Sequence, residues 1–136
     1  GAAEVVLVDD NSEAVRIMEF NAGVVGHPNV RIEQSKASAY VARAPRKHFD
    51  MVLADPPYEL ADEAVAEMVR ALEPLLVDGA VVVVERHRES PETAWPETFT
   101  PTGQKLKKRL YGIARMDMAV YSDPDLDPDA VSEMED

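Results

Sequence analysis

FDMVLADPPY, residues 49–58, is the most informative stretch of this sequence. Its first six residues are mostly apolar, which is typical of a buried strand, and the two prolines that follow cannot continue a strand ladder. The predicted turn leaves the Asp55 carboxylate and the proline carbonyls as hydrogen-bond acceptors, and Tyr58 offers a flat face for stacking. Such groups suit a planar amine, either an exocyclic amino group of a nucleobase or an amide. The alternative is a turn that merely ends the strand, with Tyr58 packed on the core.

Strand and helix patterns alternate through the first 85 residues. Short apolar runs predict four strands, at Glu4–Val8, Val30–Gln34, Phe49–Ala54 and Ala80–Glu85. Helical spacing of apolar residues predicts helices that end near Val25, at Ala37–Ala44 and at Leu60–Leu75. This alternation predicts an α/β fold, doubly wound, with a mostly parallel sheet.

The chain after residue 85 follows a different pattern. A loop rich in Pro, Glu and Thr is predicted over about Arg86–Thr102. Two strands are predicted near Lys105–Tyr111 and Ile113–Tyr121, with Gly112 at the turn between them. The sheet is therefore expected to end in a C-terminal antiparallel hairpin.

A second candidate site follows the first predicted strand. Ligands of open α/β sheets bind at the carboxyl ends of the strands, where Asp9 lies. An acid in this place accepts hydrogen bonds from ribose hydroxyls in dinucleotide and adenosyl cofactors. Asp10 and Glu13 fit a capping box for the following helix, which leaves Asp9 free. Ser35, Lys36 and Ala37 follow the second strand, so we expect them to flank an adenine.

Composition limits the class of protein. A chain of 136 residues with 46% hydrophobic content is expected to form one domain with a core. It has no cysteine, no apolar run long enough to span a bilayer and no pattern of a signal peptide, so we predict a soluble cytoplasmic protein. The three histidines, His27, His48 and His87, have no metal-binding spacing, and no metal site is predicted.

The charge is unevenly distributed along the chain. Residues Ser122–Asp136 hold seven acids and no Lys or Arg, so removing them changes the formal net charge from −12 to −5. We predict one domain at residues 1–121 and an acidic, disordered tail at residues 122–136. A basic strip near the end of the domain consists of Lys105, Lys107, Lys108, Arg109 and Arg115. It can bind phosphates, or it can form a solvated strand face.

These motifs together resemble a known family. GAAEVVLVDDNSEAV, FDMVLADPPYE, VVVVERHRES and the late KKRLYG span nearly all of residues 1–121. They are similar to the class I S-adenosylmethionine-dependent methyltransferases that methylate amines, and most similar to the RsmD family. The resemblance implies a Rossmann-like fold and methyl transfer to the 2-amino group of a guanine in 16S ribosomal RNA or the small ribosomal subunit. It implies no metal and no membrane partner.

The resemblance also implies roles for individual residues. In the cofactor site it places Asp9, Asp10, Lys36, Ala37 and Asp55. The target base would be held by Asp55, Pro56, Pro57 and Tyr58, with Asp55 and Pro56 accepting from the amine and Tyr58 stacking on the guanine. RNA would be bound by Lys105, Lys107, Lys108 and Arg109. Lys36 departs from the family, which often has Asp or Asn there, because a lysine cannot accept from the adenine amine.

The family pattern has one segment that this sequence lacks. Family members have a basic amino-terminal segment and then a first strand whose Gly-rich loop holds the methionine part of the cofactor. This sequence has no GxG and begins after that point. In the family the missing strand lies between the strands that end at Asp9 and Asp55. We expect a carboxy-terminal fragment in which the bordering strands re-pair or another chain fills the gap.

Other functions fit parts of the sequence. DPPY alone is shared with adenine, cytosine and glutamine amino-methyltransferases, and Asp rather than Asn at position 55 argues mildly against glutamine. A non-catalytic fragment that binds RNA through residues 105–115, or serves as a scaffold, is the alternative from another class. A NAD-dependent enzyme fits Asp9 and offers no reason for DPPY.

Overall fold

The computed structural model describes residues 2–126. It divides into two compact units, Gly1–Ala44 and Pro45–Asp136, each of which is described by itself. The cofactor residues predicted after the first two strands belong to unit 1, and the DPPY turn belongs to unit 2. Among the residues described, no helix has the length and apolar character needed to cross a membrane.

Unit 1 consists of two parallel strands and two helices. Strand β1 (Val5–Asp9) pairs with β2 (Val30–Gln34), in a register that places Asp9 opposite Gln34. Helix α1 (Ser12–Val25) connects them, and α2 (Ala37–Arg43) follows β2. Gly26 ends α1 in the left-handed conformation, at φ 74°, and donates its N–H to the Ala22 carbonyl, so the predicted stop at Gly26 is confirmed.

The predicted capping box at the start of α1 is wrong. Asn11, and not Asp10, is the N-cap, because its side-chain oxygen accepts from the backbone N–H groups of Glu13 and Ala14 at 2.9 and 3.0 Å. Asparagine caps helices as well as aspartate does, so the choice depends on which residue lies one position before the first turn. Asp10 is exposed and lies outside the helix.

The unit has a small core. Its buried apolar side chains in the described range are Val15 and Tyr40. Along α1, large apolar side chains are exposed by more than half: Ile17, Phe20, Val24 and Val25. A pair of strands and two helices that bury so few side chains gain little from apolar burial, so we expect unit 1 to have little stability of its own.

Unit 2 contains a larger sheet. Strands β3 (Phe49–Ala54), β4 (Leu76–His87), β7 (Ala114–Tyr121) and β5 (Phe99–Pro101) pair in the order β3-β4-β7-β5. β3 and β4 are parallel, and β7 is antiparallel to both of its neighbours. Helix α3 (Asp62–Leu72) and a 3-10 turn (Glu73–Leu75) connect β3 to β4. The core comprises Val65, Val69, Leu72, Leu75, Leu76, Ala80, Val82, Val84, Phe99, Ala114, Ala119 and Tyr121.

The second half of unit 2 differs from the predicted hairpin. Residues Leu106–Arg109 form a short helix, α4, where a strand was expected, and β6 is limited to Leu110–Tyr111. β6 does pair antiparallel with β7 around Gly112, which adopts φ 62° as the predicted turn requires. β4 is also longer than predicted at both ends, and β5 lies within the segment predicted to be loop.

The α/β fold with its parallel strands and antiparallel C-terminal part is confirmed, although the described strands form two sheets where one was predicted. Within the described residues, β1 pairs with β2 alone and β3 with β4 alone, so each has one edge without a strand partner. These are the two strands predicted to border the missing one. On β3, Met51 and Leu53 are 58% and 73% exposed, which is unusual for a strand of this composition.

The predicted acidic tail starts with ordered contacts. Ser122 donates its backbone N–H to the Thr98 carbonyl at 2.8 Å. Asp123 forms an ion pair with Lys47, with 3.3 Å between Oδ2 and Nζ. The rest of the predicted tail, residues 127–136, lies outside the described residues.

Candidate active site

The DPPY segment forms a turn directly after β3. Asp55 is exposed, Pro56 is buried and Tyr58 is half-buried. The backbone N–H of Leu60 donates to the Pro57 carbonyl at 3.0 Å, which closes the turn before α3 begins. Within the described chain, the Asp55 carboxylate and the Pro56 carbonyl have no hydrogen-bond partner, so both remain available as acceptors.

A buried arginine on the neighbouring strand β4 holds this turn in place. Arg86, on β4, is 2% exposed and donates to the Pro57 carbonyl at 3.3 Å and the Leu60 carbonyl at 3.0 Å. Its guanidinium also lies 3.5 Å from the Asp62 carboxylate at the start of α3. The planar fork of five donors lets one side chain satisfy several carbonyls at once. Because Arg86 occupies the Pro57 carbonyl, that carbonyl is not a free acceptor for a ligand.

The sequence analysis missed the role of Arg86, which it assigned to a loop. The signal was the alternation along β4. Val82 and Val84 are fully buried, and Arg86 continues the same face two residues further on. A charged residue in the next position of a buried face must find partners, and the carbonyls of a proline-rich turn are suitable ones.

Tyr58 is held in place by the neighbouring strand. Its hydroxyl donates to Glu85 Oε2 at 3.2 Å, and its ring packs edge-on against His87, with centroids 5.4 Å apart and planes at 88°. Desolvation raises the pKa of Tyr58, and the hydrogen bond and negative charge of Glu85 and the charge of Asp55 raise it further. The tyrosine therefore stays a neutral hydrogen-bond donor with a fixed ring orientation.

The predicted cofactor residues of unit 1 lie together at the carboxyl end of its sheet. Asp9 Oδ1 accepts from the backbone N–H of Asn11 at 2.8 Å, which fixes the carboxylate. The Ser35 N–H donates to the Asp9 carbonyl at 3.0 Å, so Lys36 and Ala37 follow directly beside it. Asp55, the remaining predicted cofactor residue, belongs to unit 2.

The Asp9 carboxylate fits the ribose of an adenosyl cofactor. Its Oδ1 accepts from the backbone N–H of Asn11, and its Oδ2 has no hydrogen-bond partner among the described residues. The carboxylate can therefore accept from a pair of ribose hydroxyls. The Lys36 ammonium has three donors and no acceptor, and it does not fit an adenine amine. The Lys36 carbonyl is already taken by the hydroxyl of Ser35 and the N–H of Tyr40, both at 3.0 Å.

The basic strip divides into two groups. Lys105, Lys107 and Lys108 are exposed and surround the short helix α4. Arg109 and Arg115 instead form ion pairs with the buried Asp117 at 2.9 and 2.7 Å. The three lysines are therefore free for an anionic partner, whereas Arg109 and Arg115 are committed to the structure of unit 2.

Asp117 is the centre of a buried polar network. Its second oxygen accepts from the hydroxyl and the backbone N–H of Thr93 at 2.7 and 3.0 Å, and Arg109 also pairs with Glu92 at 2.9 Å. Arg115 donates further to the carbonyls of Ser90 and Pro91. Burial by itself raises the pKa of Asp117, and the hydrogen bonds from Arg115 and Thr93 outweigh it, so its pKa lies below the ordinary value.

Comparisons with known proteins identify relatives of this chain. Residues 1–120 match the model of a family described as conserved hypothetical protein 95. A conserved hypothetical protein from Streptococcus pyogenes is 25% identical, with a TM-score of 0.76 over 90% of this chain and 74% of that one. No curated protein sequence matches.

Two further solved structures share the fold. A candidate methyltransferase from Escherichia coli has a TM-score of 0.69 at 21% identity, over 89% of this chain and 64% of that one. A candidate methylase from Haemophilus influenzae has a TM-score of 0.70 at 17% identity, over 89% of this chain and 74% of that one. The chain thus spans somewhat less than two thirds of the length of the Escherichia coli protein. Both likenesses place the chain in the Rossmann-like fold of these proteins.

Proposed function

The chain belongs to the family described as conserved hypothetical protein 95, the RsmD family, and from that premise we propose that it is a methyltransferase acting on RNA. The methyl group of S-adenosylmethionine is transferred to the exocyclic 2-amino group of a guanine in 16S ribosomal RNA. The observation that supports this most is the DPPY turn, in which Asp55 and Pro56 present two unoccupied acceptors at the end of a parallel strand.

The acceptors explain why an amine is the target. The nitrogen of a nucleobase amine is a poor nucleophile, because its lone pair is delocalised into the ring. Asp55 and the Pro56 carbonyl accept from the two N–H groups, which localises the lone pair and directs it away from the turn. Arg86 keeps the acceptors in place through Pro57 and Leu60, so little reorganisation is needed at the moment of transfer.

The remaining roles follow from the same geometry. Tyr58 stacks on the guanine, with its ring fixed by Glu85 and His87. Asp9 binds the cofactor ribose. When bound, S-adenosylmethionine supplies a methyl group whose bond to sulfur breaks as the bond to nitrogen forms, and the amine then releases one proton. A base flipped out of its stack is required, because an amino group inside a helix cannot reach the turn.

We further propose that RNA and an additional strand complete the site. Exposed Lys105, Lys107 and Lys108 bind phosphates, despite the overall negative charge. A strand from outside residues 2–126, from this protein or another chain, pairs with the free edge of β3 and covers Met51 and Leu53.

The test is a methyl-transfer assay with labelled S-adenosylmethionine. Small ribosomal subunits, DNA and a protein extract are offered separately, and the labelled product is digested and identified. The proposal expects N2-methylguanosine in the subunit RNA. Label in adenine, in cytosine or in glutamine side chains would contradict the proposal and would indicate the corresponding amino-methyltransferase instead. Salt-sensitive RNA binding without any transfer would favour a non-catalytic RNA-binding function.

A further inference from the structure

Glu85 lies beside the DPPY turn because of the register between β3 and β4. β3 and β4 are parallel, with Ala54 opposite Val84, so Asp55 directly follows β3 at the level where β4 continues with Glu85. Residues in equivalent positions of adjacent parallel strands point to the same face of the sheet. The register therefore places Asp55 beside Glu85 of the neighbouring strand, and the negative charges of both residues act on Tyr58.

Contacts place the Glu85 side chain on the ligand side of this edge. Along β4, Val82, Val84 and Arg86 are buried on one face, and Glu85 lies half-buried on the other. Its Oε2 accepts from the Tyr58 hydroxyl at 3.2 Å, so it is adjacent to the ring that would stack on the base. Its Oε1 has no hydrogen-bond partner among the described residues and is free to accept from a ligand.

The Watson–Crick edge of guanine presents donors at two adjacent positions, N1–H and the 2-amino group. Adenine has an acceptor at N1, and 2-aminopurine combines the same acceptor with the 2-amino group of guanine. Two neighbouring carboxylates match the two donors of guanine. An N1 acceptor held against a carboxylate would instead place two lone pairs face to face, with no proton between them.

We propose that Glu85 is the residue that selects guanine, by accepting from N1–H of the base whose 2-amino group is held by Asp55. This assignment rests on the proposed function, and it adds the residue that reads the base. Asp55 holds any exocyclic amine that reaches it, whereas Glu85 rejects purines that lack a proton on N1.

The experiment compares two short single-stranded RNAs that are identical except for one base, guanine or 2-aminopurine. Their dissociation constants are measured by competition, without methyl transfer, for the wild type, Glu85→Gln and Glu85→Ala. Glu67→Gln is the matched control, because it removes the same charge from an exposed position in the middle of α3.

We expect the wild type to prefer guanine by about tenfold, in the range typical of one well-made base contact. In Glu85→Gln the ratio should fall to near one or invert, because the amide can donate to N1 of 2-aminopurine. Glu85→Ala should also lose the preference, and Glu67→Gln should keep it. Equal binding of both RNAs by the wild type, or an unchanged preference in both Glu85 variants, would overturn the assignment. Because the readout is binding, absence of methyl transfer would refute the proposed function separately.

Discussion

The two compact units differ in how well each supports its own half of the chemistry. In unit 2, five of the twelve residues of β4 and five of the eight residues of β7 are buried, and Arg86 on β4 anchors the DPPY turn. In unit 1, two buried apolar side chains support a pair of strands, and α1 leaves Phe20 and Val25 more than 70% exposed. The residues proposed to grip the base are thus preorganised, and those proposed to hold the cofactor depend on fewer contacts.

Local order is required more strictly at the amine than at the ribose. An amine must be aligned with the methyl group to within a fraction of an ångström for transfer to be fast. A ribose can be held by a carboxylate with one oxygen bound to the chain and the other open, as in Asp9. We therefore expect the turn to be more rigid than the carboxyl end of β1.

Hydrogen exchange should show the largest contrast between the units. Amides of β4 and β7 should be protected to the level of global unfolding, whereas those of β1 and β2 should exchange through local opening. A difference of about 3 kcal/mol in opening free energy would give roughly a hundredfold difference in protection. Mass-spectrometric exchange of the free chain measures it, and equal protection of the two sheets would remove the basis of the comparison.

Asp117→Ala should strongly lower the folding stability of unit 2. The change leaves Arg115 buried without its carboxylate and removes the acceptor of Thr93, at a cost of about 3–5 kcal/mol. Chemical denaturation followed by Trp95 fluorescence measures the loss. Asp50→Ala, at an exposed position of β3, is the control, and it should cost less than about 0.5 kcal/mol. A similar small cost for both variants would mean that the network adds little stability.

Acid should weaken the same network. The folded pKa of Asp117 is lowered, so its contribution is complete above its unfolded value of about 3.9 and is lost as pH falls through the folded pKa. Denaturation midpoints of the wild type should therefore fall steeply below about pH 4. Asp117→Asn should flatten this part of the curve. A wild-type slope retained in Asp117→Asn would assign the acid sensitivity to other carboxylates.

Arg86→Met should loosen the turn with a smaller effect on stability. The Pro57 and Leu60 carbonyls lose their donor, at about 1–3 kcal/mol, and the acceptors of the turn shift. We expect kcat for methyl transfer to fall by about ten- to a hundredfold, with the cofactor dissociation constant unchanged. Arg88→Met, two residues further along at an exposed position, is the matched control. If Arg86→Met changed KM or cofactor binding and left kcat intact, Arg86 would not be a positioning residue.

Local signals in the sequence were sufficient for much of the fold. Apolar runs located β1, β2 and β3 to within one residue, because a strand covered by helices is marked by its composition. The turn after Ala54 was predicted by proline chemistry, which requires no tertiary information. Asp10 was chosen over Asn11 as the cap because the two residues have similar preferences, and their order alone does not decide between them.

Long-range contacts account for the parts that could not be predicted. Leu106–Arg109 is predicted to be a strand if its basic residues are assumed to be solvated. Arg109 instead donates to Glu92, 17 residues earlier in the sequence, and to Asp117, 8 residues later. Arg86 likewise contacts a turn 29 residues earlier. The alternation along β4 indicates that Arg86 is buried, but no local pattern identifies its partner.

Asp55→Ala removes the carboxylate that we propose holds the target amine. In a labelled transfer assay with small ribosomal subunits, removing the carboxylate should lower kcat by about a hundred- to a thousandfold, as for loss of one preorganised charge-stabilising group, and leave the cofactor dissociation constant within about twofold. The variant should also keep the wild-type denaturation midpoint, since Asp55 is exposed and has no partner in the described chain. Wild-type turnover by Asp55→Ala would contradict the account, because the amine would then be held by other groups.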